Sequence, residues 1–213
     1  MIKKHNSSPK REPLSRLWFM ARGYKQVPPD FIGGKILWAH PDGCFLNQYG
    51  QRVLPVHSPS HRTPGRGCHN GKRGNTYPTM RHFGSKHCHL LMAITFYGER
   101  PAFTDASGKP YVGICHHLNP EVADFRPANL LCWLTRKQHA IADKRQRALK
   151  KLVPDLRGFP IERLRTLQDP RVTSDEQFEY ALEQLKPGFR IVNPNYLMDL
   201  EPNKYFDPFI ERD

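Results

Sequence analysis

A long amphipathic helix is predicted between residues 136 and 152. Thr135 is a favourable N-cap for it, and Pro154 lies just beyond its end. Its apolar stripe has the spacing i, i+7, i+8, i+11 and consists of Ile141, Ala148, Leu149 and Leu152. Two short apolar runs, residues 111–115 and 130–134, come before the helix and are predicted to be strands. The segment from 111 to 152 is therefore expected to run strand, loop, strand, helix.

Four polar side chains occupy the junctions of this segment. His116 and His117 follow the first strand, Asn129 precedes the second strand, and His139 lies in the first turn of the helix. A ββα unit of this kind can bring His116 and His139 together and leave His117 beside them. Imidazole serves either as a general base near neutral pH or as a metal ligand, so the pattern predicts a hydrolytic metal site.

These residues stand in motifs that resemble the HNH nucleases, also called ββα-metal or His-Me finger nucleases, and in particular their phage-type homing endonuclease branch. The similar stretches are 44–54 (CFLNQYGQRVL), 89–96 (HLLMAITF), 115–119 (CHHLN), 126–130 (RPANL) and 133–139 (WLTRKQH). The resemblance covers roughly residues 36–150. The chain departs from the family pattern at Asn119-Pro120, where Asp-Gly is usual, and has one extra residue between Asn129 and Trp133.

The resemblance implies a role for each of the four residues. His117 matches the base that deprotonates the attacking water, and Asn129 matches the residue that braces the loop and keeps that imidazole oriented. His116 and His139 match the two protein ligands of one divalent metal ion. Because imidazole ligands favour Mn, Ni or Zn whereas Mg prefers oxygen, the metal could be Mg, Mn, Zn or Ni. Asp143 lies one turn after His139 and is a reserve ligand.

The charge of the chain points to a polyanionic partner, and the resemblance makes that partner DNA. Residues 1–153 carry a net charge of +17 and residues 154–213 a net charge of −4. A strongly positive protein binds nucleic acid by releasing counterions from its phosphates. The predicted helix supplies the candidate nucleic-acid-binding residues, which are Arg136, Lys137, Lys144, Arg145, Arg147, Lys150 and Lys151.

The fold class expected is α+β, with a ββα-metal core in residues 36–153 that includes a small upstream β segment. Residues 1–35 are predicted to be a basic, loosely ordered N-terminal arm, and residues 154–213 a helical C-terminal tail with no catalytic residue. Residues 57–79 are predicted to be a basic loop. No apolar run is long enough for a membrane span, and the scattered cysteines fit a reducing cytoplasm.

Two other functions remain open at this point. The first is a nucleic-acid-binding protein whose ββα module is inactive. The second is a zinc-stabilised binding module, although no pair of its candidate ligands has the spacing typical of zinc sites. Those candidates are Cys68, His69, His87, Cys88, His89 and Cys115.

Overall fold

The computed structural model describes residues 11–57, 77–121 and 123–186. The chain forms two compact units, each made of two segments that alternate along the sequence. The first unit comprises Met1–Arg100 and Val122–Leu130, and the second comprises Pro101–Glu121 and Leu131–Asp213. Helices and small sheets occur together, which confirms the α+β class at the coarse level. Among the described residues, no helix combines the length and apolarity needed to cross a membrane.

The first unit begins with a helix packed on a small antiparallel sheet. Helix α1 (Arg16–Met20) is followed by strands β1 (Lys25–Gln26), β2 (Leu37–His40) and β3 (Cys44–Asn47), in the sheet order β1-β2-β3. The ring of Phe19 stacks on that of Trp38 with centroids 4.4 Å apart. A turn at Asp42-Gly43 joins β2 and β3, where Gly43 has φ 85°, a conformation that favours glycine.

The described part of the predicted N-terminal arm, residues 11–35, is not loosely ordered. It holds α1, β1 and a 3₁₀ helix, Pro29–Ile32. Phe19, Val27 and Ile32 are 0–2% exposed, so this part contributes core residues. The prediction gave weight to the basic residues and prolines of the arm and overlooked these three isolated apolar side chains.

The rest of the first unit consists of three short strands and one helix. Strands β4 (Val56–His57), β5 (Pro78–Met80) and β6 (Lys86–His87) form an antiparallel sheet in that order. The apolar run 89–96 is too short for its periodicity to distinguish a helix from a strand, and it lies in helix α2 (Cys88–Tyr97). Most of the predicted basic loop, residues 58–76, lies outside the described residues.

The second unit starts with two strand pairs. Strands β7 (Ala102–Thr104) and β8 (Pro110–Val112) form an antiparallel hairpin. Strands β9 (Ile114–His117) and β10 (Leu130–Leu134) form a separate two-stranded sheet. The single strand predicted over 111–115 is therefore divided at Gly113, where the backbone NH donates to the Pro101 carbonyl. A Cβ on Gly113 would lie 3.1 Å from the backbone of Trp133, so glycine permits this close approach.

Helix α3 (Arg136–Leu152) has the bounds that the sequence predicts. Its first turn is closed by a capping box, in which the Thr135 hydroxyl accepts from the backbone NH of Gln138 and the Gln138 side chain accepts from the NH of Thr135. Of the predicted stripe, Leu149 is fully buried, while Ala148 and Leu152 are partly buried. The most buried line of the helix also contains Ala142 and Arg145, which the apolar pattern did not include.

The described part of the predicted helical tail, residues 154–186, belongs to the core of the second unit, and the rest of the predicted tail lies outside the described residues. Helices α4 (Ile161–Gln168) and α5 (Asp175–Gln184) are present as expected. One hydrophobic cluster joins them to α3, to β10 and to Leu118 after β9, and its buried members are Leu118, Leu131, Leu134, Ala142, Leu149, Leu156, Leu164, Leu167, Phe178, Ala181 and Leu182. Since a short amphipathic helix cannot bury its apolar side alone, α4 and α5 pack on α3 and are not a separate appendage.

Candidate metal centre

The end of β9 and the first turns of α3 bring three metal-ligating side chains together. His116 is the third residue of β9, and His139 and Asp143 are one turn apart on the same side of α3. His116 Nδ1 lies 3.1 Å from Asp143 Oδ1, and His139 Nδ1 lies 3.5 Å from Asp143 Oδ2. One ligand atom from each of the three residues lies within 4.8 Å of the other two. This His-His-Asp group could hold a metal ion.

The hydrogen bonds of Gln168 define which nitrogen of His116 carries the proton. Gln168 Nε2 donates to the Leu118 carbonyl oxygen over 2.8 Å, so its Oε1 faces His116 Nε2, 2.9 Å away. An amide oxygen only accepts, so His116 Nε2 must be the donor. In the neutral ring the lone pair is then on Nδ1, the atom that faces Asp143.

A second glutamine, Gln146 on α3, holds the backbone at the end of β9. Its Nε2 donates to the carbonyl oxygens of His117 and Leu118, the latter at 3.0 Å. These two bonds use both amide hydrogens. The 3.4 Å approach of Gln146 Nε2 to His116 Nε2 is therefore a contact between two donors and not a hydrogen bond, which is consistent with a proton on His116 Nε2.

The electrostatics of the group favour a cation. Burial lowers the pKa of His116 below its usual value, although the Gln168 hydrogen bond and the Asp143 carboxylate act in the opposite direction. At neutral pH the His116 ring is therefore neutral, and its Nδ1 lone pair faces a carboxylate oxygen at 3.1 Å. Two acceptors this close repel each other unless a proton or a metal cation lies between them, and the Gln168 oxygen holds the ring proton on the other nitrogen. A divalent cation, held by two imidazoles and a carboxylate, fits this requirement.

His117, the predicted base, is not part of the His-His-Asp group. Successive side chains of a strand leave from opposite faces, so His116 and His117 cannot both point at the same ion from β9. His117 is 8% exposed, and its backbone oxygen is held by Gln146. The structure thus separates the two adjacent histidines into different surroundings.

Asn129 is fully buried at the start of β10. Its Nδ2 donates to the backbone oxygen of Asp124 over 2.8 Å. A short 3₁₀ helix, Pro127–Asn129, is closed by the NH of Asn129 donating to the Arg126 oxygen. Both contacts brace the chain between Asp124 and Asn129.

The seven basic residues of α3 divide into two groups. Lys137, Lys144, Arg147, Lys150 and Lys151 are exposed, and Arg136 is half exposed, with its guanidinium paired to Asp105 and lying over the ring of Tyr111.

Arg145 is the one member of this set whose predicted role in nucleic-acid binding the structure does not support. It is 2% exposed, pairs with Asp175 at 2.7 Å and lies over the ring of Phe178. Its cation is therefore used inside the second unit and is not available to a phosphate.

The alternative Cys/His cluster has little support among the described residues. Cys88 is fully buried in α2, where burial raises its pKa to about 12, and this disfavours the thiolate that zinc requires. Cys115 Sγ instead lies 3.5 Å from Cys132 Sγ on the neighbouring strand. Cys68 and His69 lie outside the described residues. Within the described ranges, the His-His-Asp group is the one set of three such residues that could hold a metal.

Sequence reasoning missed Gln146 and Gln168 and gave Asp143 a minor place. The i, i+4 spacing of His139 and Asp143 was a usable signal for Asp143. Gln168 is 52 residues from His116 in the chain and belongs to no motif, so no local pattern could have indicated it. Comparison of the chain with protein-family models, with curated proteins and with solved structures gives no match in any of the three.

Proposed function

We propose that the protein is a metal-dependent DNA endonuclease with a ββα-metal active centre. The observation that carries this proposal is the His-His-Asp group, which is made by His116 of β9 and the first turns of α3 and lies next in sequence to a third histidine, His117. The order β9, β10, α3 is the strand, strand, helix order of the ββα-metal fold. It supports the resemblance noted in the sequence.

The donor set supports a catalytic rather than a structural metal site. Structural zinc sites close with four protein ligands, whereas three protein ligands leave positions for water and substrate. His116, His139 and Asp143 supply two nitrogens and one carboxylate. Nitrogen donors favour Mn, Zn or Ni, and the carboxylate also accommodates Mg. We therefore propose one divalent ion with this three-residue set, in which Asp143 joins the two histidines.

The chemistry divides between the two adjacent histidines. When bound, the cation supplies stabilisation of the charge that accumulates on the phosphate and on the leaving oxygen. His117 accepts the proton of the attacking water, a step that suits imidazole because its ordinary titration range is near neutral pH. Asn129 holds the loop that precedes β10 through its bond to the Asp124 oxygen.

DNA is the proposed substrate because of the charge on α3. Its exposed lysines and Arg147 lie on the same helix as His139 and Asp143, so cations and candidate ligands are carried by one rigid element. Such side chains bind phosphates without reading sequence.

The proposal is tested with supercoiled plasmid incubated with Mg²⁺, Mn²⁺, Zn²⁺, Ni²⁺ or EDTA. We expect nicking by the wild type in at least one metal, none in EDTA, and a 10²–10⁴-fold slower rate for His117→Ala, the typical cost of losing a general base. His82→Ala is the matched control because His82 is an exposed histidine of the first unit. DNA binding without cleavage under every metal condition would favour the inactive-module alternative and refute the nuclease.

A further inference from the structure

We infer that Gln168, at the C-terminal end of α4, is a positioning residue that keeps the proton of His116 on Nε2 and so reserves Nδ1 for the metal. This inference rests on the proposed function for the role of the metal. Its first part, the location of the proton, concerns the protein alone. Gln168 touches no predicted substrate and acts through His116.

The first support is the directionality of the two hydrogen bonds. Gln168 is 0% exposed, so water cannot replace either bond. Its nitrogen donates to Leu118 O and its oxygen accepts from His116 Nε2. If the amide turned over, its oxygen would face the Leu118 oxygen at the 2.8 Å distance now spanned by a hydrogen bond. Two buried acceptors would then oppose each other whichever nitrogen of His116 carried the proton, and such a contact is costly. The carbonyl of Leu118 thus fixes the amide, and the amide fixes the imidazole proton.

The second support is the arrangement on the other side of the ring. The alternative tautomer of His116 would put the proton on Nδ1, which would donate it to Asp143 Oδ1, 3.1 Å away. That tautomer would remove the ring from the set of metal ligands and would leave a bare Nε2 facing the Gln168 oxygen. A hydrogen bond to the non-ligating nitrogen is the usual means by which proteins orient a metal-binding histidine.

The third support is the rigid mounting of Gln168. Leu164 and Leu167, on the same helix, are 0% and 1% exposed in the core cluster of the second unit. Just beyond the helix, Thr173 Oγ1 donates to the Thr166 oxygen over 2.7 Å. Arg171 pairs with Asp169 and donates to the Cys132 oxygen on β10. Core packing before Gln168 and hydrogen bonds after it therefore hold the end of α4 in place. The Gln168 amide can then keep the His116 ring in one orientation.

The test uses Gln168→Met, which keeps the length of the side chain and removes both hydrogen bonds. Leu118 O still accepts from Gln146 in this variant, so the loss is concentrated on His116. Gln168→Glu retains an acceptor for His116 Nε2, and its second oxygen faces Leu118 O, a contact that should lower stability without moving the proton of His116. Thr173→Val is the matched control, since it deletes a buried hydrogen bond near the end of α4 without touching His116.

The first measurement is the proton position on His116 in the metal-free protein, by NMR correlation of its ring nitrogens and protons. We expect protonated Nε2 in the wild type, Gln168→Glu and Thr173→Val, and a mixture of tautomers in Gln168→Met. The second measurement is calorimetric titration with Zn²⁺ and Mn²⁺. Affinity should fall about 10–100-fold in Gln168→Met and remain near wild type in Thr173→Val and Gln168→Glu, the range usual when a metal ligand is deprived of its outer hydrogen-bond partner.

Each result has one meaning. An Nδ1 proton in the wild type, or an unchanged proton position and affinity in Gln168→Met, would overturn the inference. Equal losses of affinity in Gln168→Met and Thr173→Val would also overturn it, since the effect would then be general loosening of α4. A wild type that binds neither of these ions, nor Ni²⁺ or Mg²⁺ in the same titration, would refute the proposed function and the metal part of the inference, while the proton position would still report on Gln168 itself.

Discussion

His116 and His117 are neighbours in the chain, yet their side chains meet different chemistry. His116 is enclosed by Gln168, Asp143 and the ring of His139, whose centroid is 5.5 Å away. His117 contributes its backbone oxygen to Gln146 and stays outside the group of candidate ligands. Because successive side chains of a strand point to opposite faces, the side chains of these two adjacent histidines lie in different surroundings. Alanine substitutions at the two positions should consequently fail in different ways.

We predict that His117→Ala slows nicking by about 10²–10⁴-fold but keeps divalent-metal affinity close to wild type. His116→Ala should weaken metal binding, and nicking should recover in part as the metal concentration is raised. His139→Ala should resemble His116→Ala, because both side chains face Asp143. Calorimetric metal titration alongside a nicking assay measures both properties. If His117→Ala lost the metal while His116→Ala retained it, the two roles would have to be exchanged.

At the level of single residues, the sequence indicates the histidines but not the glutamines that form hydrogen bonds around them. The His-His pair and His139 stand in recognisable motifs, and Asp143 follows His139 at helical spacing. Gln146 and Gln168 carry no such mark, since a glutamine acquires a role only through the groups that surround it in three dimensions. The N-cap Thr135 could be predicted because capping depends on four consecutive residues alone.

Helix α3 carries both candidate ligands that follow β10 and the exposed basic residues assigned to nucleic-acid binding. Its N-terminal capping box holds the turn that leads into His139, and α5 begins with the same box, made by Ser174 and Gln177. The two boxes have the same chemistry, and only the one on α3 lies beside the candidate metal centre. This pair allows the effect of a cap on stability to be separated from its effect on the site.

Thr135→Ala and Ser174→Ala should each lower the free energy of unfolding by about 1 kcal/mol, the usual cost of losing an N-cap. Only Thr135→Ala should also weaken metal binding, because fraying of the first turn displaces His139, whose backbone NH donates to the Thr135 oxygen. Denaturant unfolding and calorimetric metal titration measure the two quantities. Equal metal affinity in both variants would show that the first turn of α3 does not position a ligand.

The basic residues of α3 offer a second test at the level of the element. Neutralising the exposed Lys137, Lys144 and Lys151 with glutamine should weaken binding to DNA of any sequence. It should also lower the slope of log affinity against log salt by up to about 0.9 for each phosphate that the protein no longer neutralises. Stability should change little, since these side chains are exposed.

Arg145→Met provides the contrast. It should reduce stability, because it removes the pair between the buried guanidinium and the exposed Asp175 carboxylate and the contact with Phe178, and it should leave the salt slope unchanged. Binding isotherms at several salt concentrations, taken where the variant is fully folded, decide the matter. A reduced slope in Arg145→Met would restore Arg145 to the DNA-binding set.

The elements that sequence predicted best are those with strong local signals. Helix α3 combines a cap, an apolar stripe and a terminating proline, and its bounds agree with the prediction. The run that became α2 is apolar on all sides, so periodicity could not distinguish a buried helix from a buried strand. In α1 and α4 the decisive apolar side chains are few, and their burial depends on partners that lie far away in the sequence.

Over the whole molecule, the uneven distribution of charge corresponds in part to an ion pair within the second unit. Residues 154–213 carry a net charge of −4, and their acidic members include the partner of a buried cation, Asp175 with Arg145. The same segment supplies Leu164 and Leu167 to the core and Gln168 to His116. The charge difference alone suggests that residues 154–213 are separate from the basic residues 1–153. In the structure, α4 and α5 pack on α3, the helix that carries two of the candidate metal ligands.

The number of candidate centres predicts how DNA is cut. The described residues contain one His-His-Asp group, and each such group with a single base is expected to break one phosphodiester bond at a time. A monomer should therefore convert supercoiled plasmid to the nicked circle first, and linear DNA should appear later, from a second nick. A time course on agarose gel, with the oligomeric state verified by light scattering at the assay concentration, measures this order. His116→Ala, assayed at low metal, should slow both steps together. Linear product that appears from a verified monomer without a nicked intermediate would require a second centre and would contradict the prediction.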